Sequence, residues 1–165
     1  MSIAKGLLAE LEHEAKVTSA LLSRVPDRPD FRPHPKSMAM GLLAGHIVEM
    51  AQWGSDVLGQ DVFVMDPATY KPLSFRSGKE AAEAYDKGIR AFRTALATKT
   101  DADMLRNWKM VVGDKTFMEM PRAAVIRSMI LNHTIHHRAQ LGVYLRLNGV
   151  PLPQTYGPSA DEGAM

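Results

Sequence analysis

The 165-residue chain contains no cysteine. That absence removes disulfides, thiolate ligands and a cysteine nucleophile together, so any metal site must be built from nitrogen and oxygen donors. No stretch approaches the roughly 18 consecutive apolar residues of a membrane span, and Met1 to Glu14 mixes charges throughout, unlike a secretory h-region. A soluble cytoplasmic protein without a membrane partner is the expectation. Net charge is nearly absent too: 20 Lys and Arg stand against 18 Asp and Glu, for a formal charge of +2, and the basic residues are scattered, as Lys5, Arg24, Lys71, Arg127 and Arg146 show. So weak a field argues against nucleic acid as a partner. HExxH, the P-loop lysine motif, GxGxxG and GxSxG are all missing. Metalloprotease, nucleotide-binding and serine-hydrolase readings therefore lack their signatures.

What is present fits one ordinary globular domain spanning residues 1–165, with 45% hydrophobic and 23% charged residues. The eleven methionines read as core filler, because a methionine-lined copper site needs tighter clustering. Leu7, Leu8, Leu11, Ala15, Thr18 and Leu22 recur at helical spacing, which predicts a first helix over Ile3 to Leu22 that stops before Pro26. Four prolines between Val25 and Lys36 predict an extended connector. Ser37 offers an N-cap for a second helix over Met38 to Leu58. Turn formers between Gly59 and Arg76 predict a long irregular crossover. Ser77-Gly78-Lys79-Glu80 has the form of a capping box and opens a third helix to Ala97. Alternation on both sides of Gly113-Asp114 predicts a small β-hairpin, and Pro121 suits the first turn of a last helix ending at Asn148-Gly149. The tail, Pro151 to Met165, should pack across the helices or fray. Four main helices and one hairpin indicate an all-α four-helix bundle.

His133 and His137 stand four residues apart, so both imidazoles leave one face of the last helix, in line with Ile126, Ile130, Leu141 and Tyr144. His46 sits at the centre of another apolar stripe, with Leu43, Met50, Trp53 and Val57. Three histidines left without partners in one core would each cost about 1–3 kcal/mol, whereas a metal satisfies a nitrogen on every one. His136 lies about 100° around the helix from His137 and should point elsewhere. Glu49 and Gln140 each follow a histidine of the set by three residues, placed to orient an imidazole or a bound water, although periodicity equally admits Glu49 as a solvated position. Arg138 and Arg146 suit the C-terminal dipole of the last helix.

Gly45-His46-Ile47, the run Asn132-His133-Thr134-Ile135-His136-His137-Arg138-Ala139-Gln140-Leu141, the segment Gly149-Val150-Pro151-Leu152-Pro153 and the stretch Tyr156 to Glu162 together resemble the damage-inducible DinB family of the DinB/YfiT-like superfamily. The similarity spans essentially the whole chain. It implies an up-down-down-up four-helix bundle, a homodimer, DNA-damage-inducible expression, and a metal held by three histidines that map onto His46, His133 and His137. Some relatives implied by that resemblance are zinc-dependent transferases using thiols such as bacillithiol or mycothiol.

Three protein nitrogens leave coordination positions open, as in a catalytic centre, whereas structural zinc is closed by four protein ligands. The leading expectation is thus a metal-dependent transferase that directs a low-molecular-weight thiol at a small-molecule electrophile. The alternatives are a metal-dependent hydrolase, with Glu49 or Gln140 positioning water, and a non-catalytic, stress-induced metal-binding or dimeric interaction protein. Imidazole suits zinc, nickel, copper and iron, and carboxylate or water in the open positions would also admit manganese. Zinc or nickel leads that set.

Overall fold

The computed structural model describes residues 2–163, and Met1, Ala164 and Met165 lie outside it. Helix α1 spans Ile3–Leu22, and the Ser2 side chain accepts the Lys5 N–H at its start. Helix α3 spans Gly78–Ala97, capped in the same way by Ser77 on the Glu80 N–H. Both helices have the predicted bounds. Between them α2 covers Met40–Gly59, two residues later than the serine at position 37 led one to expect, and its N-cap residue, Ala39, makes no side-chain cap bond. The orphan N–H groups of that end are satisfied by the proline-rich connector instead: Met40 donates to the Phe31 carbonyl and Gly41 to the Pro29 carbonyl, each at 2.9 Å.

The expected irregular crossover contains a short strand, β1 (Val62–Met65). After the one-turn helix α4 (Asp101–Leu105), closed by a capping box between Thr100 and Asp103, come β2 (Asn107–Val112) and β3 (Lys115–Pro121). The predicted hairpin is β2 with β3, and Gly113 turns it at φ +57°. It is one part of a three-stranded sheet in the order β1-β2-β3, because β1 pairs parallel with β2 in the register Val62 with Lys109. The chain is therefore mostly helical with a small sheet.

The last helical segment has three parts: α5 (Arg122–Val125), a π-helical stretch over Ile126–Asn132, and α6 (His133–Leu147). Pro121 is the last residue of β3 and the N-cap of α5, and does not sit inside the first turn. Gly149, at φ +70°, ends the segment as predicted.

A hydrophobic core unites the long helices. Leu11 and Leu22 of α1, Leu43 and Ile47 of α2, Tyr85 and Phe92 of α3, and Ile126 and Leu141 of the last segment are all buried. Helix α2 approaches α3 closely because Gly54 has no side chain: a Cβ there would lie 2.5 Å from the Phe92 ring. Arg122 is buried and reaches the C-terminal end of α2, donating to the carbonyls of Val57 and Gln60 and pairing with Asp61. Arg138 does not serve the helix dipole. Its buried guanidinium meets Glu14 of α1 at 2.6 Å, Thr18 at 3.1 Å and the Tyr156 hydroxyl at 2.6 Å. Arg146 pairs with Asp161 at 2.6 Å. Both arginines thus tie the tail back onto the helices, Arg138 through Tyr156 and Arg146 through Asp161.

Candidate metal centre

Helix α2 brings His46, and the first two turns of α6 bring His133 and His137, to one half-buried place beside the core. One ligand atom from each of the three lies within 4.8 Å of the others. The π-helical stretch ends on the residue before His133. A wide turn of this kind changes the angle at which following side chains leave the axis and commonly sits at functional sites.

Two of the three imidazoles have their second nitrogen engaged by a side chain. His46 Nδ1 faces Glu49 Oε2 at 3.3 Å, and His137 Nδ1 faces Gln140 Oε1 at 2.8 Å. A carboxylate and an amide oxygen accept, so both Nδ1 atoms carry the proton and leave Nε2 with a lone pair. His133 Nδ1 is buried without a well-formed hydrogen bond, although the Met129 carbonyl one turn back favours a proton there. His133 Nε2 and His137 Nε2 then face each other at 2.8 Å. At that distance one tautomer of His133 donates its Nε2 proton to His137, and the other turns both lone pairs toward a place where one cation can take them. The donor set fits a divalent ion, with His46 and His137 each oriented by an acceptor behind it.

Burial favours the neutral form of His133 and His137. It pushes His137 down to about 4, against the Gln140 hydrogen bond and with help from the charges of His46, His133 and His136, and it lowers His133 in the same way. Glu49 is not the solvated residue that periodicity equally allowed. It is buried, and takes the Tyr70 hydroxyl on Oε2 at 2.8 Å and the Leu73 N–H on Oε1 at 2.9 Å. Burial alone would raise its carboxyl; the hydrogen bonds from His46, Leu73 and Tyr70 outweigh that and hold it below the ordinary value. The Tyr70 hydroxyl, desolvated and tied to this carboxylate, is pushed up to about 12. Ordered behind His46 is thus a chain from Tyr70 through Glu49 to the imidazole.

Sequence reasoning missed Tyr70 and Leu73, which lie in a loop without periodicity. The available signal was Gly45, beside His46: a Cβ there would lie 1.9 Å from the Leu73 carbonyl oxygen, so the loop rests directly on α2. His136 stays outside the ligand set, as expected, exposed and 3.1 Å from the Gln140 amide nitrogen. Trp53, expected as core, is half-buried and presents an edge-on contact to His46, with ring centroids 5.9 Å apart.

The chain matches the DinB family over residues 1–164. It is similar to the uncharacterized protein YrdA of Bacillus subtilis (strain 168), with 28% identity over 158 residues that cover 95% of this chain and 90% of that protein. Among solved structures it resembles a DinB-like protein from Bacillus cereus ATCC 10987, with a TM-score of 0.68, 25% identity and coverage of 92% and 97% of the two chains. A DinB-like protein from Bacillus subtilis, YjoA, shares the fold with the same TM-score at 17% identity, with coverage of 91% and 97%. The chain therefore belongs to the DinB family.

Proposed function

We propose that His46, His133 and His137 hold one divalent ion, zinc or nickel ahead of iron or manganese, and that the protein uses it to transfer a low-molecular-weight thiol to an electrophilic small molecule. The observation that carries the metal in this reading is the convergence of one ligand atom from each of the three histidines within 4.8 Å, with His137 held by Gln140. When bound, the ion would supply Lewis acidity, lowering the pKa of an incoming thiol without any protein cysteine.

The protein's own groups hold that arrangement in place. Glu49 fixes the ring of His46 and favours its Nδ1 proton, Tyr70 and the Leu73 N–H fix Glu49, and Gln140 fixes His137. Because Glu49 uses both oxygens in this way, it acts as a positioning residue, and the hydrolytic alternative loses its natural base. A purely structural role for the ion fits poorly with histidines that are only half-buried beside a continuous apolar core.

The same reading takes residues 1–165 as one domain, an up-down-down-up four-helix bundle that forms a homodimer in the cytoplasm after DNA damage. Four long helical segments around one core support the bundle, and Val143 and Leu147, exposed on α6, support a dimer face. The test is to offer the metal-loaded protein a panel of electrophiles with common cellular thiols. Turnover that needs both metal and thiol is expected. No conjugation across the panel contradicts the proposal, and thiol-free turnover lost in Glu49→Gln would favour hydrolysis.

A further inference from the structure

Leu43, Ile47 and Phe92 are closed from solvent in the core, but Trp53, Phe63, Met110, Met118 and Met129 are only half-buried and surround one place. There α2, the sheet and the π-helical stretch enclose a cavity of about 180 Å³, with the exposed Phe117 at its rim. Both tryptophans and two of the five phenylalanines of the chain line it. The largest apolar side chains thus gather around a void instead of filling it, in a protein whose interior is otherwise closed.

The lining fixes the class of occupant. Water in a cavity needs several polar partners, and this surface is almost wholly apolar, since the Asp56 carboxylate does not face it. A charged ligand would lose its hydration and find no partner in exchange. A neutral apolar molecule leaves water and gains dispersion contacts with every wall. Size follows from the volume: an apolar cavity of about 150 Å³ stays dry and accepts benzene, so a group of roughly one ring fits here. Three of the walls are methionines, which adapt to guests of different outline. The rings of Trp53, Phe63 and Trp108, with successive centroids 6.4 Å and 6.3 Å apart, offer faces and edges to an aromatic guest.

We propose that this cavity is a binding site for a neutral apolar group about one ring in size, with Phe117 at its mouth. No histidine lines it, so the site stands apart from the metal reading. Trp53, which lines the cavity and meets His46 edge-on, is the residue the two places share.

Trp53 and Trp108 are the chain's two tryptophans, so its intrinsic fluorescence reports the cavity. Toluene, benzylamine and benzoate, which share one ring and differ in charge, are titrated into the full-length protein at neutral pH. Toluene should change the emission saturably, and both charged analogues should bind at least about tenfold more weakly. Val125→Phe, which fills the cavity, should abolish toluene binding while the far-ultraviolet circular dichroism is retained. Phe117→Ala, at an exposed position, should keep the fold and weaken toluene about threefold. The proposal is overturned by the absence of a saturable response to toluene, by either charged analogue binding within about twofold of it, or by unchanged toluene affinity in folded Val125→Phe. Should Val125→Phe not fold, Phe117→Ala takes its place, and unchanged affinity there overturns the proposal equally.

Discussion

The Leu73 carbonyl oxygen fills the space a side chain on Gly45 would need, 1.9 Å from the position of its Cβ. This contact seats the loop on α2, and from there the Leu73 N–H reaches Glu49 and Glu49 reaches His46. A glycine one residue before a candidate ligand thus sets the acceptor behind that ligand. Gly45→Ala must push the backbone of the loop away, an overpacking that costs about 1–3 kcal/mol. Thermal unfolding should shift downward accordingly, and metal titration should show weaker binding. Unchanged values for both would show that the loop gives way without loss.

Glu49→Gln keeps the shape of the side chain but removes the charge that favours the Nδ1 proton of His46. Partners behind a metal-bound imidazole are worth about 10–100-fold in affinity. Competition against a chromogenic chelator should reveal a loss in that range, with secondary structure retained. Wild-type affinity in the variant would mean that the His46–Glu49 contact does not serve the metal.

Acid should destabilise the metal-free protein through the histidines. His137 has a pKa of about 4 in the folded chain against an ordinary 6.5, and His133 is lowered too. The unfolded chain therefore binds more protons between these values, so the stability they contribute is complete above about pH 6.5 and lost as pH falls toward 4. Urea midpoints of apo wild type should fall through this window more steeply than those of His133→Ala/His137→Ala. Parallel profiles would contradict the assignment.

Arg138 and Glu14 form a buried pair at 2.6 Å, with side chains 3% and 8% exposed. Removing one partner of such a pair leaves an uncompensated charge and costs about 3–5 kcal/mol. Arg138→Met should lower the denaturation midpoint by that order, and adding Glu14→Gln should restore much of it. Tyr156 also leans on this pair, so the tail should become protease-sensitive in the single variant. An additive double variant would show that the two charges act independently.

Helix α1 was legible from the helical spacing of Leu7 to Leu22 before Pro26, and α3 from Ser77, which caps it through its own side chain; the matching cap by Ser2 on α1 is a finding of the structure. The start of α2 was not legible, because its N–H groups bond to carbonyls of Phe31 and Pro29 that only the folded chain brings there. Strand β1 is four residues long and gains its partner, β2, from far along the chain, so its alternation was lost among turn formers. The π-helical stretch kept Ile126 and Ile130 buried on the expected stripe and left no mark on apolar spacing. Convergence of the histidines was readable because a four-residue step on a helix already supplies two of the three. Arg138 was misread because its partner stands 124 residues away on another helix, beyond any local pattern.

The central claim is that the three histidines bind metal, and elemental analysis of untagged protein purified without added metal tests it most directly, beside the His133→Ala/His137→Ala variant. About one equivalent of a divalent metal per chain in the wild type and none in the variant is the predicted result. Equal, sub-stoichiometric metal in both would return His46, His133 and His137 to the core as hydrogen-bonded residues and remove the basis for thiol transfer.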